Sequence, residues 1–130
     1  MTTASTDSSP ARKTPLLTNI LVGIVTLAMF ASAGAKLAGA EQIVEGFQRS
    51  HIEAFILPIG VLEIIIAILF VIPKTSSLGT LLVTGYFGGA VVSHLAANQP
   101  AEMMPALVLG ALAWVANYFR NRNMFESLTR

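Results

Sequence analysis

The 130-residue sequence contains no cysteine, and only 12% of its residues are charged. The absence of cysteine excludes disulfides, iron–sulfur clusters, thiolate zinc sites and a thiol relay, so any redox group must come from a partner or a ligand. Soluble domains carry about 25% charged residues. A chain that is 54% hydrophobic and this poor in charge has too little polar surface to face water on all sides.

Two further absences narrow the function. No run of basic residues is long enough to follow a phosphate backbone, and the net charge is only +1, so no nucleic-acid partner is predicted. The sequence also has no phosphate-binding loop, no recognisable nucleophile–base pair and no metal-ligand cluster. It fits no class of soluble enzyme, and no covalently bound cofactor is predicted.

Four apolar segments have lengths suited to crossing a bilayer, since a helix rises about 1.5 Å per residue and about 20 residues span the hydrocarbon core. These segments are residues 16–35, 55–72, 78–95 and 103–119. Their short connections predict an all-α, integral membrane four-helix up-down bundle over residues 15–120. Residues 1–14 are predicted to be a disordered cytoplasmic tail, and residues 121–130 a second cytoplasmic tail.

The basic residues predict the orientation of the bundle. If both termini are cytoplasmic, the outer side holds only Lys36 and Arg49. The inner side then holds Arg12, Lys13, Lys74, Arg120, Arg122 and Arg130. This asymmetry follows the positive-inside rule. We therefore expect a multi-pass protein of the cell membrane, with the lipid bilayer as its main partner.

Two segments admit more than one interpretation. The first apolar stretch, which ends near Ala31-Ser32-Ala33, also matches a cleavable signal peptide, although it is long for one. Mass spectrometry of the mature N-terminus distinguishes these alternatives. The connection over residues 39–53 is either a solvated linker or an amphipathic helix on the membrane surface, because Ile43, Val44 and Phe47 recur at helical spacing.

Gly85 and Gly89 have the spacing that allows two membrane helices to approach closely. Such a pair serves either the packing of one bundle or the contact of two chains in a homodimer. Packing within the monomer is the favoured interpretation, because small residues are common in all membrane helices.

Three ionisable residues, Lys36, Glu63 and His94, lie in or at the ends of the apolar segments. Glu63 is roughly 12 Å from either end of its segment, where an ionised carboxylate costs about 3 kcal/mol or more. It must therefore face the bundle interior and be protonated, paired or hydrogen-bonded. Lys36 and His94 arrive at the same outer end, with Ser32 one turn from Lys36. The group is either a structural tie between helices or a pocket for ligand binding or proton exchange, with no catalytic residue assigned.

Three short motifs resemble the DoxX-like membrane proteins over about residues 20 to 120. They are Gly34-Ala35-Lys36-Leu37, Gly60-Val61-Leu62-Glu63, and Gly88-Gly89-Ala90 with His94. The resemblance implies a four-helix membrane protein. The family takes its name from a small subunit of a thiosulfate:quinone oxidoreductase; some relatives are linked to membrane redox complexes, and distant ones to receptor assembly. It supplies no agreed catalytic residue.

Three functions follow from these observations. The first is an accessory, rather than stand-alone, subunit of a membrane redox complex, in which Lys36, Glu63 and His94 bind or protonate a quinone or a small anion. The second is a small proton-coupled transporter, although four-span multidrug exporters carry their glutamate in the first helix. The third is a non-catalytic assembly factor, which needs only the bundle and a partner-facing stripe.

Overall fold

The structure, a computed structural model, describes residues 13–130, and this part of the chain contains six α-helices and no strand. The helices are α1 (Lys13–Leu37), α2 (Glu41–Arg49), α3 (Ile56–Val71), α4 (Ser76–Ala96), α5 (Met104–Arg120) and α6 (Arg122–Leu128). Four candidate membrane spans cover Pro15–Leu37, Glu53–Val71, Pro73–Ala96 and Pro100–Arg120. The predicted all-α, four-span membrane bundle is confirmed. Nearly all of the predicted N-terminal tail lies outside the described residues.

The helix boundaries differ from the sequence prediction in three places. Helix α1 continues to Leu37, so Lys36 lies in its last turn and not beyond its end. The expected turn at residues 74–77 is shorter, because a 3-10 turn over Pro73–Thr75 leads directly into α4 at Ser76. Proline suits such a first turn, where its missing N–H has no partner to lose. The predicted C-terminal tail contains the short helix α6.

The four spanning helices form a closed ring. Helix α1 packs against α3 and α5, and α4 packs against the same two helices on their other side. The shared core includes Val25, Met29, Ile66, Ala67, Phe70, Val83, Ala113 and Ala116. Helices α3 and α4 are in backbone contact, because a Cβ atom at Gly79 would overlap the backbone of Phe70. Neighbours in sequence are therefore neighbours in space, as an up-down bundle requires.

Polar side chains close the end of the bundle where α3 stops. Arg120 donates hydrogen bonds of 2.8 Å to the carbonyl of Phe70 and 3.0 Å to that of Val71. Asn121 donates to the Ser77 hydroxyl at 2.7 Å. These bonds satisfy carbonyl groups that have no partner within α3, and they hold the end of α5 against the turn between α3 and α4.

The connection between the first two spans contains the helix α2, so the helical interpretation is confirmed, while its place on a membrane surface stays a prediction. Gly39 and His51 flank α2 with φ angles of 67° and 57°, which reverse the chain at both of its ends. The Ser50 hydroxyl donates a 2.9 Å hydrogen bond to the carbonyl of Ser93. Helix α2 therefore lies against the last turn of α4.

The orientation of the chain can be tested by cysteine labelling, because the sequence has no cysteine of its own. Gln48 in α2 and Glu126 in α6 are exposed and lie at opposite ends of the bundle. If both termini are cytoplasmic, we expect an impermeant maleimide to label Gln48→Cys in intact cells. The same reagent should label Glu126→Cys only after the membrane is permeabilised. The reverse pattern would contradict the predicted orientation.

Candidate functional site

A buried ion pair joins the end of α1 to the beginning of α3. The Lys36 ammonium lies 2.8 Å from Oε2 of Glu63. Glu63 is 1% exposed and Lys36 is 7% exposed, so both charges are removed from solvent. The antiparallel packing of α1 on α3 causes this meeting, because it places the last turn of one helix beside the first turns of the other.

Ser32 and Tyr86 complete a polar cluster around the pair. The Lys36 ammonium donates to the Ser32 hydroxyl at 2.5 Å, and that hydroxyl in turn lies 3.3 Å from Oε2 of Glu63. The Tyr86 ring centroid lies 6.0 Å from the Lys36 ammonium, and Tyr86 lines the same cavity as the other three residues. We call Ser32, Lys36, Glu63 and Tyr86 the polar cluster. Two helices thus share a hydrogen-bonded group, and α4 adds the Tyr86 ring beside it.

Gly60 allows the lysine to reach this position. A Cβ atom at Gly60 would lie 3.3 Å from Cβ of Lys36 and 3.3 Å from Cδ2 of Leu37. These distances are shorter than the usual separation of two carbon atoms in contact, about 3.5 to 4.0 Å. The glycine therefore lets α1 and α3 approach until the lysine side chain meets the carboxylate.

The pairing resolves the energetic problem that the sequence posed. An isolated charge inside a membrane protein is expensive, but two opposite charges in contact attract strongly where the dielectric constant is low. The hydrogen bonds with Ser32 satisfy further donor and acceptor positions of the pair. The group carries no net charge when both partners are ionised, so it can lie inside the bundle without a counter-ion.

The polar cluster forms part of the wall of a cavity of about 820 Å³. The cavity lies at the end of the bundle where α1 ends, and α2 contributes one of its walls. Apolar side chains cover much of its surface, among them Met29, Ile59, Leu62, Phe87 and Leu109. Polar side chains lie toward α2 and the turn before α5, namely Glu45, Arg49, His94, Gln99 and Glu102. Binding sites for small molecules have this size and this mixture of surfaces.

His94 lies in the cavity wall but outside the polar cluster. Its imidazole makes no hydrogen bond or ion pair within residues 13–130, whereas its backbone carbonyl accepts from the N–H of Gln99 at 2.8 Å. The same described range contains no group of three or more histidine, aspartate or glutamate side chains able to hold a metal ion. Of the four residues singled out from sequence, Ser32, Lys36 and Glu63 are brought together, and their role in a ligand pocket stays a prediction.

The interpretation that Gly85 and Gly89 pack closely inside the monomer is wrong. No atom lies within 4 Å of the Cβ position at either residue, and both line the cavity. The close contact on α4 is made instead by Gly79, which has no glycine partner at GxxxG spacing. Sequence spacing alone cannot show which glycine meets a neighbouring backbone.

Tyr86 and the position of α2 in the cavity wall are the parts of the site that sequence reasoning missed. A tyrosine in the middle of an apolar helix is a polar group that needs a buried partner, and this signal could have pointed to Glu63. The spacing of apolar residues predicted the helix α2 but not its place in the cavity wall, because its position against α4 depends on a hydrogen bond to a backbone carbonyl.

A double-mutant cycle tests the ion pair. Lys36→Met or Glu63→Gln alone leaves one buried charge without its partner, which we expect to cost about 3 to 5 kcal/mol of the free energy of unfolding. The double variant should recover part of this loss, with a coupling free energy of about 0.5 to 3 kcal/mol. Unfolding followed in detergent gives the four values needed.

The matched control makes the same two substitutions at Lys74 and Glu53, which are exposed. These variants should unfold like the wild type, singly and together. Strictly additive losses at Lys36 and Glu63 would show that the two side chains do not stabilise each other.

Comparison with known proteins agrees with this architecture. A family model described as the DoxX-like family matches residues 20–116, which cover α2, α3, α4 and most of α1 and α5. No curated protein and no solved structure matches the sequence. The matched range contains the whole polar cluster and three-quarters of the chain. This multi-pass membrane protein therefore belongs to the DoxX-like family.

Proposed function

We propose that this protein is an accessory subunit of a quinone-linked redox system in the cell membrane, and that its cavity binds the ring of a quinone. The observation that carries the proposal is the position of the polar cluster in the wall of a largely apolar cavity of about 820 Å³. A quinone ring matches this surface, since it presents carbonyl oxygens at two positions and apolar edges elsewhere.

The hydrogen-bonding chemistry of the cluster supports a quinone. A carbonyl oxygen can only accept hydrogen bonds, so its site must supply donors. The Lys36 ammonium donates to Glu63 and Ser32, and the Ser32 hydroxyl donates to Glu63. A quinone carbonyl therefore takes its hydrogen bond from Lys36 or Ser32 in exchange for one of these contacts, or from the Tyr86 hydroxyl in the same cavity wall. His94 lies outside the polar cluster but lines the same cavity. Its imidazole N–H can donate a hydrogen bond to the second carbonyl oxygen of the quinone.

The neutrality of the ion pair favours an uncharged ligand. Because Lys36 already balances Glu63, a charged substrate would introduce a charge without a partner into the bundle. This observation also separates the proposal from a proton-coupled exporter of cations, in which the carboxylate must be released to bind its substrate. Reduction of a bound quinone takes two electrons and two protons, and the cysteine-free chain relies on a partner for the electrons.

Quinone binding is measured with purified protein in detergent by equilibrium titration of a benzoquinone. We expect one site per chain in the wild type. Tyr86→Phe removes a donor, and Glu63→Gln removes the acceptor that positions the Lys36 ammonium. Each should weaken binding by about tenfold, which corresponds to about 1.4 kcal/mol. Tyr86→Phe removes only a hydroxyl, so it keeps the test valid if Glu63→Gln unfolds the protein.

Glu53→Gln is the matched control, because Glu53 is exposed and does not line the cavity. It should bind the quinone like the wild type. Wild-type protein that binds no quinone, or cluster variants that bind as well as the control, would contradict the proposed ligand.

The accessory role is tested by affinity purification in mild detergent. We expect a stoichiometric partner whose flavin, haem or iron–sulfur cluster is visible by absorbance, since this chain has no cysteine to hold a cluster itself. A partner without a redox group would favour the assembly-factor alternative. Purification of the chain alone would contradict an accessory subunit.

A further inference from the structure

The cavity reaches the side of the bundle between α3 and α4. These helices are in backbone contact at Gly79 and Phe70, toward the turn that joins them. About two to three turns further along α4, Gly85 and Gly89 have open space within 4 Å of their Cβ positions. Both glycines line the cavity, and Leu62 of α3 lines it as well. The two helices therefore enclose a gap, which we call the α3–α4 gap.

The α3–α4 gap faces the lipid side of the bundle. Leu62 is 48% exposed on α3, and Gly85 and Gly89 are exposed on α4. All three residues are apolar, whereas the cavity wall formed by α2, which Ser50 ties to Ser93, carries Glu45 and Arg49. A surface of this composition suits contact with hydrocarbon.

On both helices, a residue that borders the α3–α4 gap is next in sequence to a residue of the polar cluster. Leu62 immediately precedes Glu63 on α3, and Gly85 immediately precedes Tyr86 on α4. A ligand ring that accepts a hydrogen bond from the polar cluster therefore lies close to Leu62 and Gly85. Atoms attached to that ring on this side extend toward the space between α3 and α4.

We infer that the α3–α4 gap binds the hydrocarbon chain of the ligand, so that the ligand is an amphipathic lipid that enters sideways from the bilayer. The inference rests on the proposed function and names the substrate class as a chain-bearing quinone. The absence of side chains at Gly85 and Gly89 leaves the room that a chain needs. Moving a hydrocarbon chain from lipid into an apolar gap gains little hydrophobic free energy. The fit between the chain and the gap therefore determines which ligand binds.

The test places a side chain in the gap and compares two ligands. Gly89→Leu is titrated with a benzoquinone that carries a decyl chain and with the same ring without a chain. We expect the variant to bind the decyl compound about tenfold more weakly than the wild type does, since the leucine side chain would overlap the position of the chain. Its affinity for the chainless ring should stay within about threefold of the wild-type value.

Gly88→Leu is the matched control. Gly88 also has no atom within 4 Å of its Cβ position and is exposed on the same helix, but it does not line the cavity. This variant should bind both compounds like the wild type. Equal losses for both compounds in Gly89→Leu, or no loss for either, would overturn the inference.

A second measurement separates failure of the inference from failure of the proposed function. Native mass spectrometry of protein extracted from membranes reports any lipid that stays bound. Retention of a chain-bearing lipid by the wild type and Gly88→Leu, but not by Gly89→Leu, supports the gap even if no quinone binds, and then only the proposed ligand fails. If Gly89→Leu retains the same lipid, or the wild type retains none and binds no quinone, the gap holds no chain and the inference fails.

Discussion

The ion pair between Lys36 and Glu63 is the constraint on which the rest of the structure depends. A carboxylate in the middle of a spanning helix must be shielded from lipid, and here the shield is a lysine 2.8 Å away on the adjacent helix. The pair fixes which faces of α1 and α3 meet and at what height along the bundle. Since the other two helices close the ring around that contact, the position of the cavity follows from it.

The fold was largely predictable from the sequence. Long apolar segments and scarce charge leave few alternatives to helices that cross a bilayer, and prolines mark the starts of three spans. The burial of Glu63 followed from the cost of an exposed charge, whereas protonation, an ion pair and hydrogen bonding were all open as the way to stabilise it. These arguments need only the chain itself, because the bilayer sets the same requirement for every membrane helix.

The details of the site were less predictable, for a physical reason. Spacing within a helix defines which residues share a face, but it does not show whether that face meets a helix, a cavity or lipid. Gly79 and Gly85 illustrate the difference: one contacts a neighbouring backbone and the other borders open space. Tyr86 and α2 join the site through contacts between distant parts of the chain, which no local pattern encodes.

The contact at Gly60 has a consequence for how the charge in this bundle is positioned. A methyl group at that glycine would lie 3.3 Å from Cβ of Lys36 and from Cδ2 of Leu37, a few tenths of an ångström closer than carbon atoms usually pack. The glycine therefore sets the distance between α1 and α3, and this distance determines how closely the Lys36 ammonium approaches Glu63. An uncharged residue without a side chain thus controls the geometry of the ion pair. A relative with a larger residue at this position would have a different ion-pair distance, even with every ionisable residue unchanged.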